Sequence, residues 1–316
     1  MLALLLGAGF SKWAGDLPVA GELFDFDIEI WGPRDAGKLE VVRSCKEAWD
    51  AKHPDGLAEQ FIADALGFAE TQKEAVLWYL TRRLSEPFIW REWHAGRWRR
   101  HVLMIDESRR FQIEGVVRAR DFIQRLCAPG LAGIVTTNYD MLVEYALGTK
   151  GFNYGVPGEV LTGRGAYPVS QWLNPVVLRG RVPVAKIHGS TSWDEEARYT
   201  DGRRGLTGRA LIVAPAEDKE PPVSLRGVWR LAETILEGAS ALLVFGFAFN
   251  PYDEAVLGLL LRAGQDLQTV LLIDIEAKVE RARHLWPHAA VSSSKPPPAG
   301  DPDVRSWYQG VKALSQ

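Results

Sequence analysis

The sequence predicts an α/β fold: a parallel β-sheet covered by helices, with a mostly helical insertion after the first strand. Three observations point to it. Short, continuous apolar runs recur along the chain, each followed by small, polar or acidic residues. Such runs belong to strands buried on both faces, the signature of a parallel sheet. Segments of helical period follow the later runs. One long stretch between the first and second runs lacks them altogether.

Taken in order, the buried strands are Leu2–Leu6, Gly133–Thr136, Ala241–Phe245 and Val270–Ile273, with Val184–Ile187 as a weaker fifth. Glu254–Arg262 and Glu276–Leu285 read as covering helices. The stretch from about Lys38 to Gln124 is rich in Ala, Leu, Glu, Arg and Trp. Phe61, Ala65, Phe68 and Ala69 share one helical face there, as do Val76, Leu77, Leu80 and Leu84. The expected division is a core of residues 1–30 and 125–316 with an insertion at 31–124. Ser292 to Pro302 reads as an exposed Ser- and Pro-rich loop.

With 316 residues, 47% hydrophobic and 24% charged, the chain suits one large domain with a sizeable core. A net charge of −3 supplies no global field toward nucleic acid or anionic membrane. Two cysteines, Cys45 and Cys127, are too few for a four-cysteine zinc site, so no metal is expected. No apolar run is long enough to span a bilayer, and no basic residue precedes Leu2–Leu6 as in a leader. The expected location is the cytoplasm.

Five motifs sit at strand ends, where open α/β sheets bind ligands. Gly7-Ala8-Gly9-Phe10-Ser11 follows the first strand; its glycines allow backbone to approach a diphosphate at a helix N-terminus. This is a Rossmann-like turn, with Lys12 where a third glycine is usual. Thr136-Thr137-Asn138-Tyr139-Asp140 follows the second strand; Asn138 both donates and accepts hydrogen bonds, although Asn and Asp also serve as plain helix caps. Lys186-Ile187-His188-Gly189-Ser190 offers an imidazole that exchanges protons near neutral pH. Gly246 to Asp253 forms a glycine turn and a helix start. Asp274 ends the last strand, able to accept from ribose hydroxyls or to cap the next helix.

The order of these motifs resembles the NAD-site series of the sirtuin family, and most of all its bacterial sirtuin-like branch, many of whose members destroy NAD in phage defence. The resemblance covers residues 1–20 and 130–280. It implies a sirtuin-like NAD-binding fold that cleaves NAD to nicotinamide and ADP-ribose. Gly7, Ala8, Gly9, Phe10 and Ser11 would meet the phosphates and nearby ribose. Asn138 would hold the nicotinamide ribose or the attacking water, Asp140 the carboxamide, and His188 would be the general base. Ser190 would join the cofactor contacts, and Gly246 and Asp274 the adenosine half. It further implies activation through homo-oligomerisation or a separate sensor protein of ATPase or Argonaute type. An ADP-ribosyltransferase, or an NAD-binding regulatory subunit of a nucleic-acid-handling complex, is the alternative. The deacetylases' Asp-Phe-Arg does not follow Ala14-Gly15, and their four-cysteine zinc module has no counterpart.

Three other patterns compete. Gly32-Pro33-Arg34-Asp35-Ala36-Gly37-Lys38 fits the phosphate-loop pattern of an ATPase after the alternating segment Phe24–Ile30, but Leu39 stands where Ser or Thr must hold magnesium. Glu29 lies where a dehydrogenase would keep its ribose-binding acid. Trp90 to Arg100 interleaves aromatic and basic residues, which suits either stacking on nucleic-acid bases or, the expectation here, tryptophans packing a helical insertion.

Overall fold

The computed structural model describes residues 1–103, 105, 107–127, 130–148, 151–154, 182–194, 209–215, 223–276 and 278–297. Strand β1 (Leu2–Leu6) lies at the centre of a seven-stranded sheet. On one side it pairs with β4 (Leu131–Thr136), which is followed outward by β6 (Val182–Lys186) and β5 (Phe152–Asn153). On the other side it pairs with β9 (Ala241–Phe245), then β10 (Thr269–Ile273) and β11 (Ala290–Ser294). All these pairings are parallel, and Leu4 stands opposite Ile134 on one flank and Leu243 on the other. The sheet is therefore the parallel α/β sheet that the apolar runs predict.

The chain leaves β1 toward β4 and later returns past it to β9. Successive connections thus diverge beside β1, and that crevice at the carboxyl ends is where doubly wound sheets bind ligands. Helix α1 (Ala8–Gly15) starts immediately above it. Phe10, Trp13, Phe122 and Phe245 pack edge to face and tilted, with centroids 5.1–6.0 Å apart, and lock α1 to the sheet.

Between β1 and β4 come α2 (Pro33–Asp50), α3 (Ala58–Ala65), α4 (Glu70–Ser85) and α5 (Glu114–Cys127). Val76, Leu77, Leu80 and Leu84 are buried on α4, the face predicted from helical spacing. Phe61 and Ala65 are buried on α3, but that helix ends at Ala65, so Phe68 and Ala69 fall in the following turn and do not continue the predicted face. The remaining elements are α6 (Leu142–Leu147), α7 (Arg226–Glu237), α8 (Glu254–Ala263) and α9 (Val279–Leu285). A small antiparallel pair joins β7 (Gly189–Ser190) to β8 (Leu211–Ile212). No helix of the described residues is long and apolar enough to cross a membrane.

Two expectations are corrected and two competing patterns are set aside. The Trp/Arg segment is not helical: β2 (Ile89–His94) and β3 (Arg97–Val102) form a hairpin. Ala95 and Gly96, at φ 49° and 79°, make the tight turn that matches strand twist. Trp93 and Trp98 pair across the strands at 5.4 Å but remain 58% and 61% exposed, so they pack against each other rather than the insertion. Gly32–Lys38 is no phosphate loop; no strand precedes it, Gly32 caps α2, and Gly37 and Lys38 lie inside that helix. Glu29 is bound by Arg91 and Arg100 of the hairpin, at 2.9 and 2.6 Å, and so anchors it. Finally, Ser292–Ser294 belong to edge strand β11 and not to a loop, because serine leaves the backbone free to pair; residues 298–302 lie outside the described ones.

Tyr79 pins the segment before α2 to α4. Its hydroxyl donates to the Leu23 carbonyl at 2.8 Å and accepts from the Phe26 N–H at 3.1 Å. Burial pushes its phenol up to about 12 from an ordinary value near 10. The folded state therefore holds this proton more tightly than the unfolded chain, and its contribution is complete below pH 10. Stability should fall as pH rises from 10 to 12, by on the order of 2–3 kcal/mol from this group. Urea denaturation across that range should show the decline in the parent and a shallower one in Tyr79→Phe; equal slopes would show that Tyr79 is not the group responsible.

Candidate active site

A cavity of about 250 Å³ opens at the carboxyl ends of β1, β4, β6 and β9. Its floor is made of Ala8, Gly9 and Ser11 from the first turn, Thr137–Asp140 from the second, His188 from the third, and Phe247, Ala248, Asn250 and Asp253 from the fourth. Val19, Leu23, Glu59, Ile62 and Leu84 supply the opposite wall. Four motifs, separated by up to about 240 positions in the chain, thus converge on one space.

The floor depends on two turns that touch through backbone. The Gly9 N–H donates to the Gly246 carbonyl at 3.0 Å, and the Gly7 N–H to that of Phe245 at 2.9 Å. A Cβ on Gly9 would lie 2.6 Å from Gly246 Cα, and one on Gly246 2.4 Å from Gly9 backbone. Gly246 also has φ +62°, a conformation other residues adopt with strain. Here the glycines are needed for mutual approach of two turns.

Asn138 is held by a chain of hydrogen bonds. Its Nδ2 donates to the Gly7 carbonyl and to Ser11 Oγ, both at 2.9 Å. A carbonyl only accepts, so this contact fixes which end of the amide is nitrogen. Ser11 Oγ in turn donates to Asp140 Oδ2 at 2.8 Å, and Asp140 Oδ1 accepts the Leu142 N–H at 2.9 Å. Both amide hydrogens of Asn138 are used, which leaves Oδ1 as its acceptor for a ligand. Burial pushes the Asp140 carboxyl up, against the opposing pull of Lys186, the Leu142 N–H and the Ser11 hydroxyl. Lys186 is itself buried, paired to Glu144 at 2.9 Å and bonded to the Asp140 carbonyl. Tyr154 donates its hydroxyl to the same Glu144 oxygen at 2.7 Å. Breaking such a buried pair by removing one partner typically costs ~3–5 kcal/mol.

His188 follows β6 directly. Gly189 after it has φ +84°, and a Cβ there would meet the Leu211 carbonyl at 2.1 Å, so a side chain at this position would push β8 away. The His188 carbonyl accepts the Val213 N–H at 2.9 Å, which holds the imidazole at the cavity. Its Nε2 faces Asp253 Oδ2 at 3.2 Å, with both side chains about 5% exposed. A carboxylate so placed orients the ring and leaves Nδ1 as the nitrogen to receive a proton. Tyr139 lies 6.2 Å from His188, ring to ring, and donates its hydroxyl to the Val213 carbonyl at 3.0 Å. Burial raises this phenol, and the charges of Asp253 and Glu59 raise it further.

Of the residues singled out in the sequence, Ala8, Gly9, Ser11, Asn138, Asp140 and His188 line the cavity. Gly7 and Gly246 shape it through backbone. Phe10 does not reach it, because its ring is fully buried in the aromatic core. Ser190 is also turned away; its hydroxyl pairs with Ser192 at 2.9 Å beneath the Tyr139 carbonyl. Asp274 stands outside the cavity after β10, where its Oδ1 accepts the Glu276 N–H. The pairing of His188 with Asp253 was missed, although Asp253 had been noticed as the start of a helix. Glu59 was missed altogether, since nothing local marks it apart from other helical acids.

No protein-family model matches the chain, and no curated protein matches its sequence. Among solved structures, one described for the mechanism and regulation of Sir2 enzymes is 13% identical with a TM-score of 0.42, covering 99% of this chain and 93% of its own. Sir2Tm bound to a propionylated peptide is 15% identical with a TM-score of 0.39, covering 99% and 92%. The fold assignment rests on strand order and register, not on these superpositions.

The contact between turns can be tested directly. Gly246→Ala should lower unfolding stability by at least about 2 kcal/mol, from backbone strain together with displacement of Gly9. A urea-denaturation difference below about 0.5 kcal/mol would show that the two turns separate at little cost.

Proposed function

We propose that the chain binds NAD in this cavity and hydrolyses it to nicotinamide and ADP-ribose. The observation that carries the reading is the convergence of the glycine turn, Asn138 and the His188–Asp253 pair at the crevice of a parallel sheet. The order of motifs, which resembles that of sirtuin-like NAD-cleaving proteins, supports the same ligand. The two-part division, with residues 31–124 inserted into a core of 1–30 and 125–316, belongs to this reading.

The residues suit the chemistry. The N-terminus of α1 and the backbone about Ala8 and Gly9 favour a diphosphate. Asn138 Oδ1 accepts from a ribose hydroxyl or from water. In the reaction, the bond from nicotinamide nitrogen to the ribose anomeric carbon breaks, and its electron pair stays on nitrogen, which becomes neutral. A water oxygen bonds to that carbon, and the water proton passes to His188. Asp253 orients the ring for that transfer. Ser11 and Asp140 act mainly by holding Asn138, since their polar atoms are committed to it and to the Leu142 N–H. NAD depletion as a defence against phage, triggered by oligomerisation or by a separate ATPase or Argonaute sensor, is the biological role this reading assigns. Supply of an amino-acid acceptor in place of water would make the same site an ADP-ribosyltransferase.

Incubation of the full chain with NAD, followed by chromatography, should yield nicotinamide and ADP-ribose in equal amounts; NAD recovered intact would overturn the reading. Asn138→Ala and His188→Ala should each lower the rate by ~10²–10⁴-fold with folding preserved. Asp253→Asn should lower kcat more than it changes KM, because the ring loses the carboxylate that orients it. An unchanged kcat would reduce Asp253 to a structural neighbour.

Acetylated peptides supplied with NAD should release nicotinamide without acetyl transfer. The two cysteines cannot build the deacetylases' zinc module, and Asp-Phe-Arg does not follow Ala14-Gly15. Stoichiometric acetyl-ADP-ribose would restore the deacylase alternative.

A further inference from the structure

Asp140, Asp253 and Glu59 all line the cavity, but they are engaged differently. Asp140 holds Ser11 and the Leu142 N–H, and Asp253 faces His188. Glu59 makes no hydrogen bond or ion pair among the described residues. It is half-buried on the second residue of α3, beside the apolar side chains of Leu23, Ile62 and Leu84. The start of a helix favours an anion, which explains why Glu59 tolerates its charge. No cationic side chain among the described residues pairs with it, so its charge stays available to a ligand in the cavity.

Glu59 lines the same cavity as Tyr139, His188 and Asp253. That is the cavity where bond cleavage is proposed above. The oxidised nicotinamide ring carries a positive charge, whereas the reduced ring and ADP-ribose lack it.

We propose that Glu59 is the recognition group for the cationic ring, so that a residue of the helical segment after β1 selects oxidised over reduced dinucleotide. The inference rests on the NAD reading. Glu59 attracts the pyridinium on binding, and its pull weakens as the ring becomes neutral on leaving. It therefore acts on selection of substrate rather than as an acid or base.

The test is binding, measured by calorimetry on the full chain in a His188→Ala background so that NAD is not consumed. The parent should bind oxidised NAD more tightly than reduced NAD, and should also bind ADP-ribose. Glu59→Gln should weaken oxidised NAD by about five- to tenfold, the size of one partly exposed charge pair. The affinities for reduced NAD and ADP-ribose should stay within about twofold, and Glu59→Asp should keep most of the preference. An equal loss for all three ligands in Glu59→Gln, or no loss for any, overturns the assignment. Failure of the parent to bind ADP-ribose or either dinucleotide overturns the NAD reading itself and the inference with it.

Discussion

The backbone contact between the turn after β1 and the turn after β9 is the constraint on which the site depends. Two strands that are neighbours in the sheet end in turns packed without side chains between them. Because Gly9 and Gly246 carry no Cβ, the α1 N-terminus comes down to the level of the strand ends. The Gly7 carbonyl is then within reach of Asn138 on the far flank of β1. A bulkier first turn would lift α1, break that reach and release the Ser11–Asp140 connection behind it. The geometry of three motifs is therefore tied to one atomic clearance.

Polar groups around the cavity divide into those that build and those that remain available. The builders are engaged inside the protein: Asn138 Nδ2, Ser11, both Asp140 oxygens, Lys186, Tyr154 and Oε1 of Glu144, whose other oxygen is buried without a partner among the described residues. Burial in a medium of low polarity makes such satisfied networks rigid and unsatisfied ones costly. Groups that remain open include Asn138 Oδ1, the nitrogen of His188 that does not face Asp253, and Glu59. A rigid floor that presents open polar atoms is the form in which binding sites orient ligands.

What the sequence made legible follows from the range of the interactions involved. Leu2–Leu6 and Ala241–Phe245 were recognisable as strands, and their limits match the structure, because strands buried on both faces are apolar at every position. Asn138 and His188 were recognisable because each directly follows a strand. The β2–β3 hairpin was not, since Trp93 and Trp98 are exposed and their strands show no buried alternation. Edge strand β11 pairs through backbone along only one side, so its serines carry no apolar signal. The His188–Asp253 pair joins residues 65 positions apart, on the segments that follow β6 and β9. Glu59 enters the cavity through the packing of α3, and local patterning has no bearing on that.

The location of β1 in the sheet also shapes how the chain reaches this structure. Its two partners, β4 and β9, begin at Leu131 and Ala241, so the central strand is synthesised well before either and is flanked on both sides only once β9 has emerged. At a synthesis rate of ~5–20 residues per second, Leu2–Leu6 spends about ten seconds or more with an edge unpaired. Contacts of such long sequence separation make folding slow. An apolar strand waiting with open hydrogen-bonding edges is also a template for pairing with other chains. Helices α1 and α5, which pack on each other, both precede β9 in the chain and so are made before the second partner of Leu2–Leu6 emerges.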